Sequence, residues 1–258
     1  MFDYQAPKDL LQGKVILVTG SSEGIGRAAA LSYARHGATV ILHGRNQERL
    51  EALYDEIVAE NLAEPAIVTL DFAEASFDDY MVLQNSIGEM FGRLDGLLHN
   101  AGLLARRSSI ASTNTKDWEK VMQVNVNAPF MLSKAMLPLL EESESASVIF
   151  TSSSVGRKGR AYWGSYAVSK FAIEGLMQVW ADELENISNI RINSINPGAT
   201  NTAMRRQAYP GELATNNPSP EQIMPLYLFL MGDDSLAIKG QALNAQETIS
   251  PAELHNKQ

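Results

Sequence analysis

The stretch Val15-Ile16-Leu17-Val18-Thr19-Gly20-Ser21-Ser22-Glu23-Gly24-Ile25-Gly26 decides how the rest of the chain is read. Val15–Thr19 is a short, unbroken apolar run, the pattern of a strand buried on both faces of a parallel sheet. Ile25–His36 reads as the helix that follows it. Glycines between the two allow a tight turn, close approach of backbone to phosphate, and close packing of helix on strand. A helix N-terminus presents unpaired N–H groups and a partial positive charge, so a nucleotide pyrophosphate is a natural ligand for such a turn. An ordinary turn uses the same glycines, and only the surrounding pattern separates the two readings.

Outward from this stretch the pattern repeats. Further strands are predicted at Thr39–Leu42, Ala66–Leu70, Leu94–His99, Ser147–Ser152, Arg191–Ile195 and Gln241–Asn244. Helices are predicted at Gln47–Asn61, Phe77–Phe91, Lys116–Glu141, Tyr162–Ile187 and Glu221–Met231. In Gln47–Asn61 the residues Leu50, Leu53, Tyr54, Ile57 and Val58 recur at the spacing of one buried helical face. Alternation of this kind implies right-handed crossovers and an α/β fold: a single-domain, Rossmann-type, doubly wound parallel sheet of about seven strands with helices on both faces. No repeat or linker divides 1–258. The interval Ala203–Pro220 carries Pro210, Gly211, Pro218 and Pro220 and reads as a substrate-binding lid or a plain surface connection.

Composition excludes several function classes. With no cysteine among 258 residues, disulfides, cysteine-ligated zinc, iron–sulfur clusters and thiol catalysis are ruled out. His36, His43, His99 and His255 form no metal-binding pair, so no metal site is expected. A net charge of −9 opposes nucleic-acid binding, which needs a basic surface. The N-terminal residues show no apolar leader, and no apolar run is long enough to span a membrane. The expectation is a cytoplasmic protein without nucleic-acid or membrane partners.

The second strand runs out at Leu42-His43-Gly44-Arg45-Asn46. A dinucleotide fold that prefers NAD places an acid here for the adenosine ribose, and Arg45 stands in its place. A guanidinium pairs bidentately with a 2′-phosphate, so NADP(H) is favoured. Glu23 in the glycine turn lies near the same position and keeps NAD(H) open.

These residues resemble the short-chain dehydrogenase/reductase family, over about Gln12 to Asn244 and most closely its bacterial YciK-type oxidoreductases. The turn Thr19–Gly26 is similar to the family's TGxxxGxG, and His99-Asn100-Ala101-Gly102 to its NNAG, with histidine replacing the first asparagine. Asn125 matches the family's catalytic-helix asparagine, Ser153 its serine, and Tyr166-Ala167-Val168-Ser169-Lys170 its YxxxK. Asn196-Pro197-Gly198 with Thr202 resembles the segment bordering nicotinamide. The resemblance implies catalysis by Asn125, Ser153, Tyr166 and Lys170. It implies cofactor contacts from Gly20, Ser22, Glu23, Gly24, Ile25 and Gly26, then Arg45 and Asp71, with Asp71 at the adenine. Asn100, Ala101, Gly102, Tyr166, Lys170, Pro197, Gly198, Thr200 and Thr202 complete the implied set. Homodimers or homotetramers built on Lys116–Glu141 and Tyr162–Ile187 are implied as well. Two departures stand out: Thr200 replaces an apolar residue, and Gly240–Gln246 lacks the family's usual VDGG ending.

The expected chemistry is hydride transfer between a nicotinamide and a small-molecule carbonyl or alcohol. Tyr166 and Lys170, four apart, share one helical face. Lowering a phenol from about 10 to about 7 requires roughly 4 kcal/mol. An ammonium about 5 Å away at an effective dielectric near 20 supplies roughly 3 kcal/mol, so Lys170 is expected to provide most of it. Ser153 would hold the substrate oxygen, and Asn125 a water relaying protons to Lys170. His99 reads as a packed histidine. Arg106, Arg107, Arg157, Lys158, Arg160, Arg205 and Arg206 fall in loops expected at the mouth and suggest a substrate with an anionic end, or else a solvated surface. A catalytically silent nucleotide-binding scaffold and a lyase of the same fold are the alternatives; 258 residues leave little room for the latter's usual extra domain.

Overall fold

A computed structural model describes residues 1–255. Its seven strands are β1 (Val15–Thr19), β2 (Thr39–Gly44), β3 (Ala66–Thr69), β4 (Gly96–His99), β5 (Ser147–Thr151), β6 (Arg191–Asn196) and β7 (Ala242–Asn244). All pair in parallel, in the order β3-β2-β1-β4-β5-β6-β7. The helices are α1 (Gly24–Arg35), α2 (Gln47–Ala59), α3 (Phe77–Phe91), α4 (Thr115–Met122), α5 (Ala128–Glu141), α6 (Gly164–Leu184), α7 (Ala203–Ala208), α8 (Met224–Met231) and α9 (Pro251–His255).

Each face of the sheet carries its own apolar layer. Ile16 and Val18 of β1 pack with α1, α2 and α8, whereas Val15 and Leu17 pack with α3, α5 and α6. Burial on both sides explains why the central strands are continuous apolar runs rather than alternating ones. Strand order reverses between β1 and β4, and in such sheets ligands bind in the crevice at the carboxyl ends beside the reversal. The glycine turn after β1 and Asn100–Gly102 after β4 flank that crevice.

Three features differ from the sequence expectation. The helix predicted over Lys116–Glu141 is interrupted by a π turn, Gln123–Asn127, centred on Asn125. The interval Ala203–Pro220 contains α7, whose N-cap Thr202 accepts from the Arg205 N–H at 3.1 Å; its six residues are too few for a readable period. The first eleven residues form a strap over the C-terminal segment: Phe2 N donates to the Ala245 carbonyl at 3.3 Å and Asp3 N to Ile249 at 3.0 Å. Phe2 and Tyr4 pack their rings 5.2 and 5.3 Å from Phe229 of α8.

Candidate active site

The three glycines of the turn serve different ends. Gly20 and Gly24 have φ of +66° and +58°, the left-handed region that glycine enters without a Cβ clash. At Gly26 a Cβ would stand 2.2 Å from the Gly20 carbonyl oxygen and 2.4 Å from Asn100 Nδ2, so its hydrogen lets α1 close on the turn. Glu23 is the N-cap of α1 but makes no side-chain cap bond, and the first turn holds no acidic residue. Its N–H groups are therefore left for an external anion. Thr19, a residue the sequence reading passed over, joins the two loops: Oγ1 accepts from Asn100 N at 2.9 Å and Ala101 N at 3.0 Å, and donates to Leu98 O at 3.1 Å.

Arg45 and Asp71 stand at the outer end, 3.7 Å apart and largely exposed. Glu23 is paired with Arg49 at 2.7 Å, a basic residue of α2 that the sequence reading did not single out. Beneath them His43 stacks on Phe72 at 4.1 Å. Its Nδ1 accepts from Gly20 N at 3.4 Å and its Nε2 faces the Leu70 carbonyl at 3.1 Å, so the proton sits on Nε2. Burial drives the imidazole down to about 4, keeping it neutral.

Tyr166 and Lys170 lie at the inner end, both on α6. Lys170 is buried, donates to the Thr151 carbonyl at 2.7 Å, and holds Nζ 5.6 Å from the centre of the Tyr166 ring. Burial pushes the phenol up to about 12, against the opposing hydrogen bond with Ser153, and brings the ammonium down to about 8, against the pull of Glu174. Burial is the dominant influence on the phenol and raises it, where the sequence pattern predicts a lowering by Lys170. Ser153 caps a single 3-10 turn, Ser154–Gly156, that packs on α6; a Cβ on Gly156 would stand 2.7 Å from Lys170 Cβ. Gly156 therefore sets how close the serine turn comes to the lysine.

Asn125 is buried, with Oδ1 accepting from Leu103 N at 2.7 Å and Nδ2 donating to Leu103 O and Ser169 Oγ, both at 3.0 Å. Both amide hydrogens are engaged by protein, so the side chain does not present a free donor to the expected water. Its bonds instead pin the chain after β4 to α6.

The glycine turn, Arg45, Asp71, Asn100–Gly102, Tyr166, Lys170, Pro197 and Thr202 line one cleft enclosing about 1110 Å³ of empty space, open mouth included. Ser22, Glu23 and Ile25 also face it; Gly26 packs behind it. Gly198 is exposed beside it, and Thr200 is buried with its hydroxyl donating to Pro197 O at 3.2 Å. A cleft lined by an uncapped helix N-terminus, an arginine and a half-buried phenol fits a dinucleotide. His99 is a packed residue, stacked 4.6 Å from Phe150 and bonded to Ser133 Oγ at 2.8 Å.

Two of the seven basic residues expected at the mouth are taken up elsewhere. Arg157 turns inward to the buried Glu174 at 3.0 Å, Asn244 at 2.8 Å and the Leu243 carbonyl at 3.1 Å, because a buried carboxylate needs a partner. Arg205 is bound through two nitrogens to Glu212 at 2.6 and 2.7 Å and stacks 3.9 Å from Tyr209. Arg107 sits over the neighbouring rings of Trp163 and Tyr209, 5.0 and 5.1 Å from their centres, and donates to the carbonyl of Ala208, the last residue of α7, at 2.6 Å. Arg106, Lys158, Arg160 and Arg206 remain exposed.

Residues 14–213 match the family model for short chain dehydrogenase. The chain belongs to the short-chain dehydrogenase family. It is 51% identical to the uncharacterized oxidoreductase YciK of Escherichia coli (strain K12) over 248 residues, covering 96% of this chain and 98% of that protein. A short chain dehydrogenase structure from Pseudomonas syringae superposes with a TM-score of 0.94 at 57% identity, covering 95% of this chain and 100% of the other. A second, from Shigella flexneri 2a str. 301 and complexed with NADP, gives 0.91 at 51% identity, with 93% and 100% covered. The family's fold is the one observed here, and its members are oxidoreductases, as the sequence led us to expect.

Proposed function

We propose that this short-chain dehydrogenase transfers hydride between NADP(H) and a carbonyl or alcohol group of a small molecule. The observation that carries the reading is one cleft joining an uncapped helix N-terminus and Arg45 to Tyr166 and Lys170, with Ser153 bonded to Tyr166 and Asn125 bonded to Ser169 of the same helix. The NADP complex of the Shigella relative supports the choice of nucleotide. First-turn N–H groups of α1 would hold the pyrophosphate, Arg45 the 2′-phosphate, Asp71 the adenine, and Asn100–Gly102 with Pro197–Thr202 the inner half. Glu23, the feature that left NAD(H) open, is neutralised by Arg49.

The bound nicotinamide supplies hydride in reduction and accepts it in oxidation. In reduction Tyr166 donates its proton to the carbonyl oxygen, which suits a phenol held neutral, while Ser153 bonds the same oxygen. Lys170, brought down to about 8, returns a proton to the tyrosine side. Asn125 contributes through the backbone and helix it fixes. A silent scaffold has no chemical need for all four groups.

The exposed Arg106, Lys158, Arg160 and Arg206 support a substrate with an anionic end, with Ala203–Pro220 as its lid. Exposed Phe130 on α5 and Phe171 and Val179 on α6 support a homodimer or homotetramer paired through these helices. Among the described residues no helix is long and apolar enough to cross a membrane, and a cytoplasmic location is part of the proposal. Fluorescence titration with NADPH and NADH, then a carbonyl and alcohol panel, tests the reading; binding of neither nucleotide defeats it.

A further inference from the structure

The C-terminal segment Gly240–Gln246 departs from the family ending, and the side chain of its last residue, Gln246, is committed to the loop after β6. Gln246 Nε2 lies 3.0 Å from the Pro197 carbonyl oxygen and 2.8 Å from that of Ala199, with Thr200 Oγ1 at 3.5 Å. An amide nitrogen carries two hydrogens, so the carbonyls on either side of Gly198 take both. Gly198 has φ of +73°, and a Cβ there would stand 2.7 Å from Gln246 Cδ and Nε2. The amide lies against the loop only because residue 198 has no side chain.

The same segment reaches the serine turn. Asn244 Oδ1 accepts from Arg157 at 2.8 Å and from Asn196 Nδ2 at 3.0 Å, and Asn196 Oδ1 accepts from Gly198 N at 3.1 Å. Arg157 stands four residues after Ser153, and its partner Glu174 lies one turn beyond Lys170 on α6, with its second oxygen accepting from Ser194 at 2.7 Å. Phe2 N holds the segment from outside through the Ala245 carbonyl.

We infer that Gln246 is a positioning residue: it shapes the Pro197–Thr200 loop to receive the nicotinamide end of the cofactor and, with Asn244 and Arg157, fixes that loop relative to Ser153. The inference rests on the functional reading above. Its substance is the pair Gln246 and Gly198, in which one residue supplies two donors and the other the space for them.

The test compares parent protein with Gln246→Met, which keeps length and removes both donors, using two probes: NADPH, and 2′-phospho-ADP-ribose, which lacks nicotinamide. The expected result is NADPH binding weakened about tenfold, the scale of one or two lost hydrogen bonds, with 2′-phospho-ADP-ribose binding within twofold of the parent. Hydrogen exchange in a peptide spanning residues 197–202 is expected to quicken. Should Gln246→Met fail to fold, Gly198→Ala, which pushes the amide off the loop, is expected to give the same split. Unchanged NADPH binding, or equal weakening of both probes, overturns the inference and leaves the functional reading standing. A parent protein that binds neither probe overturns the functional reading and the inference with it.

Discussion

Lys170 Nζ donates its 2.7 Å hydrogen bond to the carbonyl oxygen of Thr151, at the end of β5, while standing 5.6 Å from the ring centre of Tyr166, the residue one turn before it. The ammonium is thus anchored to the sheet, and the phenol is governed chiefly by its own burial. In this state the pair holds a protonated acid beside a lysine able to lose its proton near pH 8.

Tyr166 is therefore expected to stay protonated through neutral and mildly alkaline pH when no nucleotide is bound. The difference in phenolate absorbance between parent and Tyr166→Phe, followed against pH, should be flat up to about pH 9, below even the free phenol's value near 10. An ionisation step near pH 7 in that difference would show that Lys170 outweighs burial.

His43 and His99 are neutral because they are buried, brought down to about 4 and about 3 from 6.5. Below pH 6.5 the unfolded chain binds more protons than the folded one, so their contribution is complete above that pH and is lost progressively as pH falls from 6.5 towards the folded values. Urea unfolding at pH 7 and pH 4.5 should differ by on the order of 2–3 kcal/mol for each histidine. The difference should shrink in His99→Gln; an equal difference in parent and variant would contradict the assignment.

Gly26→Ala places a methyl 2.2 Å from the Gly20 carbonyl oxygen and 2.4 Å from Asn100 Nδ2. Backbone on one side and a bonded amide on the other leave it no room, so the turn must open. Stability is expected to fall by about 1–3 kcal/mol, and NADPH affinity should fall with it. A variant that melts with the parent and binds NADPH as well would refute the close packing of α1.

Arg157→Ala strands the buried Glu174 carboxylate. Loss of one member of a buried pair costs about 3–5 kcal/mol, so the unfolding midpoint should drop steeply. A change of less than about 1 kcal/mol, as for an exposed ion pair, would return Arg157 to the surface role that its loop position suggests.

The fold was legible because the five inner strands carry their burial in their composition: β1 begins and ends at the residues predicted, as does α3. The residues that meet in the cleft were legible by spacing, Tyr166 and Lys170 on one helical face above all. What escaped notice depends on contacts distant in sequence. Arg157 reads as a solvated charge until Glu174, 17 residues on, is found buried beside it. His43 gives no local sign that it bridges Gly20 to Leu70, and the π turn at Asn125 coincides with side-chain bonds to Leu103 and Ser169, both distant in sequence. Gly240–Gln246 reads only as a segment without the usual ending; the contact of Gln246 with Gly198, 48 residues earlier, has no local sign.

The most direct test of hydride transfer at this site is the rate of NADPH oxidation with a panel of ketones and aldehydes, in parent and Tyr166→Phe, with NADPH binding measured in both. The expected result is turnover by the parent, a loss of at least about 100-fold in the variant, the scale of a removed general acid, and NADPH binding retained in each. Equal turnover by the two proteins, or NADPH binding by the parent with no turnover on any carbonyl, would contradict it.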